Sequence, residues 1–598
     1  MQGNPFGYGL PLQKGSPIKL MKYEPGTSTN LGTIKLNQLA LNIIEGINEP
    51  VAIIAVAGAY RRGKSFFANL LLGRHDGFSL GSQVVGCTNG IDMWDTPFYV
   101  NGSRIILLDC EGINDPQQDY DWATKLFVLC LAISSTFIYN INGVIERNDI
   151  EKLFLMKDLT KYIQPPENCQ FLPQLVLLLR DFELERNNLD FRQYFIDRLA
   201  MVNFEAAQGI YEFFSNFQVH PIAHPGIHGE SLQNLERVKS DQFNQQFISD
   251  IRQTIDTIFR TLNPKYIGAS AMSGSAFAKF LADCVARMNK PENNMCLSIP
   301  SEYVSVARYV GQRAIKQAIR IYREGMQENL RDPIKWTDFR DAHAECLKRA
   351  QKIFFDKILG TASHIKATEE EFSEDIEEAK EEYVKQNSRA LEQFNKNIAD
   401  ASWRKHLVRQ YDVMNETVLL KALEDFNFDF SWKMVPGPEA VRVLQRYVST
   451  EYQELIMRLG ESNHISWETT LRLLEISNNE KELLEAVAPE QETDLQLIFA
   501  QIKTKEREKQ YQNKLEQLWT CVRQQPNIKQ SQIEQVQQEN RQVMEEVKEQ
   551  NQKKEFQLLQ FSSLRKKMTK ERTEKLWKVL KVVGQVTSIA FTVIGFLN

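Results

Sequence analysis

The residues best suited to chemistry in this chain form the segment from Gly58 to Ser65, which reads GAYRRGKS. It satisfies the spacing G-x-x-x-x-G-K-[ST], in which glycines let successive backbone N–H groups point at phosphate oxygens. Lys64 supplies a cation for the outer phosphates, and Ser65 offers a hydroxyl to Mg²⁺. The alternative is a chance match on a turn between a strand and a helix. The spacing predicts a site for a nucleoside triphosphate and Mg²⁺.

The flanks of this segment favour the nucleotide interpretation over a chance match. Residues 51–57 form an unbroken apolar run without charge, which is typical of a strand buried on both faces. Residues 66–72 follow a helical apolar pattern that ends at Gly73. Strand, glycine-containing loop and helix in this order are the context that a phosphate-binding loop requires.

Two further segments carry candidate ligands for Mg²⁺ and the terminal phosphate. Residues 81–93 are polar and glycine-rich, and we predict a mobile segment in which Thr88 completes the metal shell and senses the phosphate. An apolar run ends in Asp109-Cys110-Glu111-Gly112, of the form D-x-x-G. An acid at the end of a core strand predicts a second group on the Mg²⁺ side, and Gly112 is free to approach the phosphate.

The base-reading residue is predicted from the chemistry of guanine, whose N1–H and exocyclic amine can both donate to one carboxylate. The sequence N-K-x-D, which often supplies that carboxylate, is absent, and Asn397-Ile398-Ala399-Asp400 has the wrong second residue and a helical pattern. Asp181, which follows Arg180 at the end of the apolar run 174–179, is the best candidate. The alternative is an ordinary surface pair of arginine and aspartate.

The surrounding pattern predicts an α/β domain with a mostly parallel sheet. Residues 33–44 indicate a strand entering a short helix, and 98–108 a hairpin around Asn101-Gly102. Residues 126–141 predict a buried helix leading into a parallel strand, and 144–162 an amphipathic helix that covers the sheet.

Composition limits the class of protein. The 598 residues are too many for one core, and the net charge of −5 argues against a nucleic-acid partner. Eight cysteines without a C-x-x-C spacing indicate reduced thiols in the cytosol. Residues 1–30 lack a signal-peptide layout and are predicted to be a flexible lead-in.

The second half predicts helices throughout. Helical spacing recurs in five segments: 303–326, 338–359, 369–398, 404–426 and 438–459. Residues 490–575 are rich in Gln, Glu and Lys and predict long polar helices or a coiled-coil stalk with a break at 525–527, or alternatively a disordered tract. The predicted domains are 31–298 (nucleotide domain), 299–489 (helical bundle, read mainly as a scaffold), 490–575 (stalk) and 576–598 (tail).

The C-terminal segment, residues 565–598, places eight basic residues before an uncharged run from 582 to 598. Basic residues beside an apolar tail are typical of a peripheral anchor for anionic membranes, although the run is short for a single span. The alternative is a helix packed on the protein's own bundle. The predicted localisation is cytoplasmic with peripheral membrane association.

The segments GAYRRGKS, CTNGIDMW, DCEG and LLLRDF together resemble the large GTPase domain of the dynamin superfamily, in its guanylate-binding protein and atlastin branch. The resemblance is specific over about residues 50–230 and weaker through 272–326, and the loop His224-Pro225-Gly226 is similar to one near the guanine in atlastins. It implies GTP as the substrate, an Arg-Asp pair in place of N-K-x-D, and an arginine finger at Arg61 that acts upon homodimerisation through the nucleotide face. Higher oligomers are a further option.

The resulting site prediction has three parts. The catalytic residues are Arg61, Lys64, Thr88 and Glu111. The nucleotide-binding residues are Gly58, Tyr60, Arg61, Arg62, Gly63, Lys64, Ser65, Phe66, Thr88, Gly112, Arg180 and Asp181. The metal ligands are Ser65, Thr88 and Asp109.

Two departures from the family leave two classes of function open. Cys110 stands where threonine is more usual, and Gly86 stands where a guanylate-binding protein has a catalytic serine. No cysteine follows Cys521, so we do not expect C-terminal prenylation. Arg61 favours a GTP-hydrolysing enzyme that dimerises and acts on membranes, whereas Gly86 favours a scaffold that switches partners with little hydrolysis.

Overall fold

The computed structural model of the chain describes residues 13–25, 32–58, 63–80, 90–110, 120–142, 153–154, 159, 163–164, 171–183, 189–214, 216–227, 238, 240–268, 270–290, 297–525 and 528–583. It divides into two compact units. The first comprises residues 1–312, 358–365 and 515–540, and the second comprises 313–357, 366–514 and 541–598.

A nine-stranded sheet forms the centre of the first unit. Its strands are β1 (Pro17–Glu24), β2 (Thr33–Leu36), β3 (Val51–Gly58), β4 (Ile91–Trp94), β5 (Phe98–Val100), β6 (Ser103–Cys110), β7 (Thr136–Asn142), β9 (Gln174–Arg180) and β10 (Gln218–Ile222). The order is β10-β9-β7-β3-β6-β4-β1-β2, with β5 paired to β6. The run from β10 to β6 is parallel, and β4, β1, β2 and β5 are antiparallel to their neighbours. Two short ladders lie outside it, one of β11 (Tyr266–Ile267) with β12 (Ser270–Ala271), the other of β8 (Ile163–Gln164) with β13 (Leu297–Ser298).

Helices account for the rest of the regular structure described. Those up to residue 329 are α1 (Gln38–Glu45), α2 (Lys64–Leu71), α3 (Tyr120–Ile133), α4 (Phe191–Val202), α5 (Phe204–Phe213), α6 (Gln245–Thr261), α7 (Gly274–Met288) and α8 (Ile299–Asn329). Those that follow are α9 (Trp336–Lys357), α10 (Ala362–Trp403), α11 (Glu416–Lys433), α12 (Pro438–Ser449), α13 (Glu451–Glu461), α14 (Trp467–Gln524) and α15 (Gln530–Val583). The predicted α/β domain followed by long helices is confirmed.

The central strands are covered on both faces, as predicted for residues 51–57. All eight residues of β3 are buried, and they alternate between two apolar layers. Ile53 and Ala55 belong to the layer that contains α1, α3 and α7, whereas Ile54 and Val56 belong to the layer of α2 and α6. A parallel sheet needs this double cover because both of its faces are apolar.

Two predictions about irregular segments are wrong. Residues 17–24, assigned to the flexible lead-in of 1–30, form β1, because Leu20 and Met21 are fully buried and the backbone pairs with both β4 and β2. Residues 91–93, assigned to the mobile segment of 81–93, belong to β4, which is held between β1 and β6. β1 has eight residues and β4 has four, and pairing with neighbouring strands stabilises both.

The second unit is helical, and two of its predicted helices are interrupted. The predicted helix 404–426 is divided into three parts. A π-helical turn covers Arg404–Val408, a short 3-10 turn follows, and α11 then starts after the N-cap Asn415. The predicted helix 438–459 is divided at Thr450 into α12 and α13. Asp400, in the helical segment set aside above, accepts a hydrogen bond from Tyr447.

The Gln-rich region is helical rather than disordered. It lies in α14 and α15, which are separated at residues 525–529, so the predicted break is confirmed. Leu515, Leu518, Val536 and Val543 are buried, as expected for a helical seam. In the second unit, Arg507 of α14 donates to Glu369 of α10 through Nη2, at 2.7 Å. Among the described residues, the longest apolar helical stretch falls short of what a membrane span needs.

Candidate functional site

The phosphate-binding segment begins at the end of β3, where Gly58 has no room for a side chain. Its φ is +138°, and a Cβ would lie 2.2 Å from the carbonyl oxygen of Asn140 on the adjacent strand β7. The need for glycine at position 58 is imposed by β7, which is far away in the sequence. In the sequence, only the glycine spacing of the motif indicates this need. Residues 59–62, which include Tyr60, Arg61 and Arg62, lie outside the described residues.

The N-terminus of α2 faces the same edge of the sheet, with the backbone N–H groups of its first turn. Gly63 is its N-cap with φ +74°, and no side chain caps the helix. The first helical bond runs from the Phe67 N–H to the Gly63 carbonyl, at 3.1 Å, so the preceding N–H groups have no acceptor within the helix. Such a terminus binds anions well. The ring of Phe66 packs in the core, which leaves only its backbone to contact a ligand.

The structure brings Ser65 and Asp109 together, although 44 residues separate them. The Ser65 hydroxyl donates to Asp109 Oδ2 at 2.7 Å, because β6 lies beside β3 with Asp109 in register with Val56. Lys64 and Asp109 are both buried. A hydroxyl and a carboxylate suit Mg²⁺, which takes few protein oxygens and completes its shell with phosphate and water. Within the described ranges no cluster of three or more His, Cys, Asp or Glu side chains resembles a metal site.

Several predicted residues of this edge lie outside the described residues. They are Thr88, together with the departure at Gly86, and Glu111 and Gly112. Their roles therefore remain predictions.

Arg180 and Asp181 lie at the end of β9 and have different environments. Arg180 is buried beside the phosphate-binding segment, since a Cβ placed on Gly63 would lie 3.6 Å from its Nη2. Its Nε and Nη1 find no hydrogen-bond partner among the described residues. Burial lowers the pKa of Arg180, and Asp181 opposes that shift. Asp181 is exposed in a left-handed conformation with φ +57°, which aspartate tolerates better than most residues.

Arg180 has one neighbour that was not predicted from the sequence, Phe247, and it lies near the loop that contains His224-Pro225-Gly226. The ring centre of Phe247 on α6 lies 5.9 Å from its guanidinium carbon. The loop from Ala223 to Ile227 is adjacent because Ile222 pairs with Arg180, and the Ala223 N–H donates to buried Asp250 at 2.8 Å. The local sequence does not mark Phe247 or Asp250 as site residues. Both lie on α6, and they meet Arg180 and Ala223 only when the chain folds.

Cys110, the departure from the family after Asp109, is part of the core. Its Sγ lies 3.3 Å from Sγ of Cys130 on α3. The contact with Cys130 and burial together raise the pKa of Cys110 well above its usual range. A neutral, apolar side chain at this position does not supply a ligand for the nucleotide.

Comparison with known proteins covers both parts of the chain. The family model of the guanylate-binding protein N-terminal domain matches residues 32–266, and that of the C-terminal domain matches residues 296–581. Guanylate-binding protein 5 of Mus musculus is 29% identical over an alignment of 354 residues that covers 54% of this chain and 59% of the relative. Guanylate-binding protein 1 of Homo sapiens is 26% identical over 391 residues, covering 60% of this chain and 65% of the relative.

The chain thus spans about three fifths of the length of the curated relatives it matches. The two models describe one family and together cover residues 32–266 and 296–581, from β2 to near the end of α15. The strand–loop–helix context, the pair of Ser65 and Asp109, and the Arg-Asp sequence at the end of β9 agree with this assignment. The chain therefore belongs to the guanylate-binding protein family.

Proposed function

We propose that this protein binds GTP with Mg²⁺ at the carboxyl edge of the sheet and hydrolyses it. The observation that carries the proposal is the contact of Ser65 with Asp109 beside the N-terminus of α2. In this proposal Lys64, in the first turn of the same helix, contacts the outer phosphates. Family membership supports the same activity.

Each side chain then has a definable role in binding. The N–H groups of the first turn of α2 donate to phosphate oxygens, and Ser65 and Asp109 would hold the cation. When bound, Mg²⁺ neutralises charge that develops on the phosphates during transfer. Asp181 accepts the two guanine donors, and Arg180 offers Nε and Nη1 to a ligand oxygen beside Gly63.

The catalytic part of the proposal depends on dimerisation. Arg61 supplies the charge-stabilising arginine when two nucleotide faces meet, as the resemblance implies. The protein is then an enzyme whose rate per molecule rises with concentration, and Thr88 and Glu111 complete its site. A scaffold that only switches partners would have no use for that arginine.

The membrane part of the proposal concerns residues 565–598. It is supported by α15, on which Phe561, Leu564 and Met568 are exposed at helical spacing. Basic residues flank them: Arg565, Lys566, Lys567, Lys570, Arg572 and Lys575. We place each basic residue at about 1 kcal/mol of attraction to an anionic surface, a contribution that salt weakens, whereas buried apolar area is not screened.

Single-turnover hydrolysis of GTP at dilute and at concentrated protein tests the enzymatic proposal. We expect the rate per molecule to rise with concentration, and Lys64→Ala to abolish triphosphate binding in calorimetry. Lys316→Ala, which removes an exposed lysine of α8, is the matched control and leaves both quantities unchanged. Unchanged GTP affinity of Lys64→Ala would refute the assignment of the site. A rate that does not depend on concentration would favour the scaffold.

Vesicle flotation at low and high salt tests the membrane proposal. Deletion of residues 582–598 leaves weak, salt-sensitive binding to anionic vesicles. Replacement of Lys575, Lys578 and Lys581 by Glu reduces the preference for anionic over neutral lipid. If the intact protein does not float with anionic vesicles in the presence of either GTP or GDP, the tail is instead a helix packed on the protein itself.

A further inference from the structure

The second unit contains a cavity of about 420 Å³ that the nucleotide chemistry does not use. It lies among α9, α10, α14 and α15, and we call it the bundle cavity. Its volume falls in the range of sites for small organic ligands. Much of the lining is apolar, with Leu347, Ile376, Leu497, Phe499, Ala500 and Leu558.

Charged side chains form one wall of the bundle cavity. Lys380 and Lys503 both form ion pairs with the same carboxylate, Glu377, and the Lys503 contact is 3.1 Å long. The side chain of Lys380 is only 5% exposed. Burial alone would raise the pKa of Glu377, but its two lysine partners outweigh that effect and hold the pKa below its usual value. The carboxylate therefore carries its full charge near neutral pH.

The remaining buried arginine does not change this balance. Arg507 is matched by Glu369, to which Nη2 and Nε both donate, so that pair contributes no net charge. His343, also in the lining, has its pKa lowered to about 4 by burial and is neutral near pH 7. At the rim, Lys554 and Glu555 cancel. Three cations thus meet two carboxylates in this wall, which leaves one positive charge in excess.

The Lys503 side chain is 26% exposed, and burial lowers its pKa although Glu377 opposes that shift. A cation in such a partly buried site is stabilised by a nearby counter-charge. An anion in the bundle cavity would supply that counter-charge beside Lys503, and its apolar body would cover Phe499 and the leucines. We propose that the bundle cavity binds an amphipathic organic anion, a molecule with one acidic group on an aromatic or aliphatic body. Such a ligand contacts four helices at once and stabilises the second unit against unfolding.

The test uses the intact chain and two fluorescent probes of nearly equal shape. Anilinonaphthalene sulfonate carries an acidic group, and phenylnaphthylamine has the same rings without it. We expect one-to-one binding of the sulfonate with enhanced fluorescence, and binding of the neutral probe weaker by roughly tenfold or more, since charge-assisted contacts contribute that much.

Three variants locate the binding. Lys503→Gln removes the excess charge while Glu377 keeps its contact with Lys380, so the fold persists; the sulfonate should bind roughly tenfold more weakly and the neutral probe unchanged. Ala500→Trp fills the bundle cavity and abolishes binding of both probes. Lys509→Gln, at an exposed position of the same helix, is the control and has no effect.

Three results would overturn the proposal. They are the absence of stoichiometric sulfonate binding, equal affinity for the two probes, and sulfonate binding that survives Ala500→Trp. Thermal unfolding of Ala500→Trp and Lys503→Gln, followed by near-ultraviolet circular dichroism, verifies that both variants are folded. If Ala500→Trp does not fold, the Lys503→Gln comparison decides alone: an unchanged sulfonate affinity refutes the proposal.

Discussion

Replacement of Ser65 by alanine tests the link between the nucleotide and Mg²⁺ most directly. The hydroxyl lies 2.7 Å from the buried carboxylate of Asp109, so both oxygens are close enough to share one cation. A hydrogen bond or ligand contact to a charged group contributes about 1.5–3 kcal/mol, which corresponds to a factor of roughly 10–100 in Kd. We expect Ser65→Ala to lose that factor of GTP affinity when Mg²⁺ is present.

The assay is a titration of GTP by calorimetry, carried out with Mg²⁺ and again with the metal chelated. Without Mg²⁺, Ser65→Ala and the unmodified protein should bind GTP with nearly equal affinity, because the lost contact was to the metal. The control is Ser16→Ala, which removes a similar hydrogen bond of 2.8 Å, from Ser16 to Asp95, at an exposed position. Equal losses with and without Mg²⁺, or no loss at all, would refute the role assigned to Ser65.

Three further predictions concern base, catalysis and pH. Asp181→Asn should lose preference for GTP over xanthosine triphosphate in competition binding, because an amide can donate to the xanthine oxygen; retained guanine preference would mean that another residue reads the base. Arg61→Ala should leave GTP affinity nearly intact but slow single-turnover hydrolysis by about 10³-fold or more at high protein concentration, and an unchanged rate would make Arg61 a solvated residue. Burial lowers the pKa of His343 to about 4. The part of the free energy of unfolding that depends on its neutral ring is therefore present above about pH 6.5. As the pH falls to 4, up to about 3 kcal/mol of it is lost. In denaturant titrations of the intact chain, His343→Phe should lose less unfolding free energy than the unmodified protein between pH 6.5 and pH 4. An equal loss would mean that His343 is not responsible for the pH dependence.

The sequence alone determined the elements that depend on residues close together along the chain. The strand, the glycine spacing and the helix from Val51 to Leu71 are local signals, and so is the Asn101-Gly102 turn, whose two residues have positive φ. Long helical patterns predicted α8 and α9 to within four residues at each end, and most of α10, because a periodic apolar face extends over many turns. The place of Asp181 at a strand end followed from the apolar run before it.

The tertiary structure alone decided which distant groups meet. Gly58 must be glycine because of the Asn140 backbone on β7, and Arg180 lies beside Gly63 because β9, β7 and β3 are neighbours in the sheet. β1 and β4 exist because they pair with each other and with stronger strands. The surplus of charge in the bundle cavity requires side chains of α10 and α14 to meet, 126 residues apart in the case of Glu377 and Lys503. Sequence patterns report a residue's own helix or strand, whereas packing between elements sets these contacts and is fixed only when the whole chain folds.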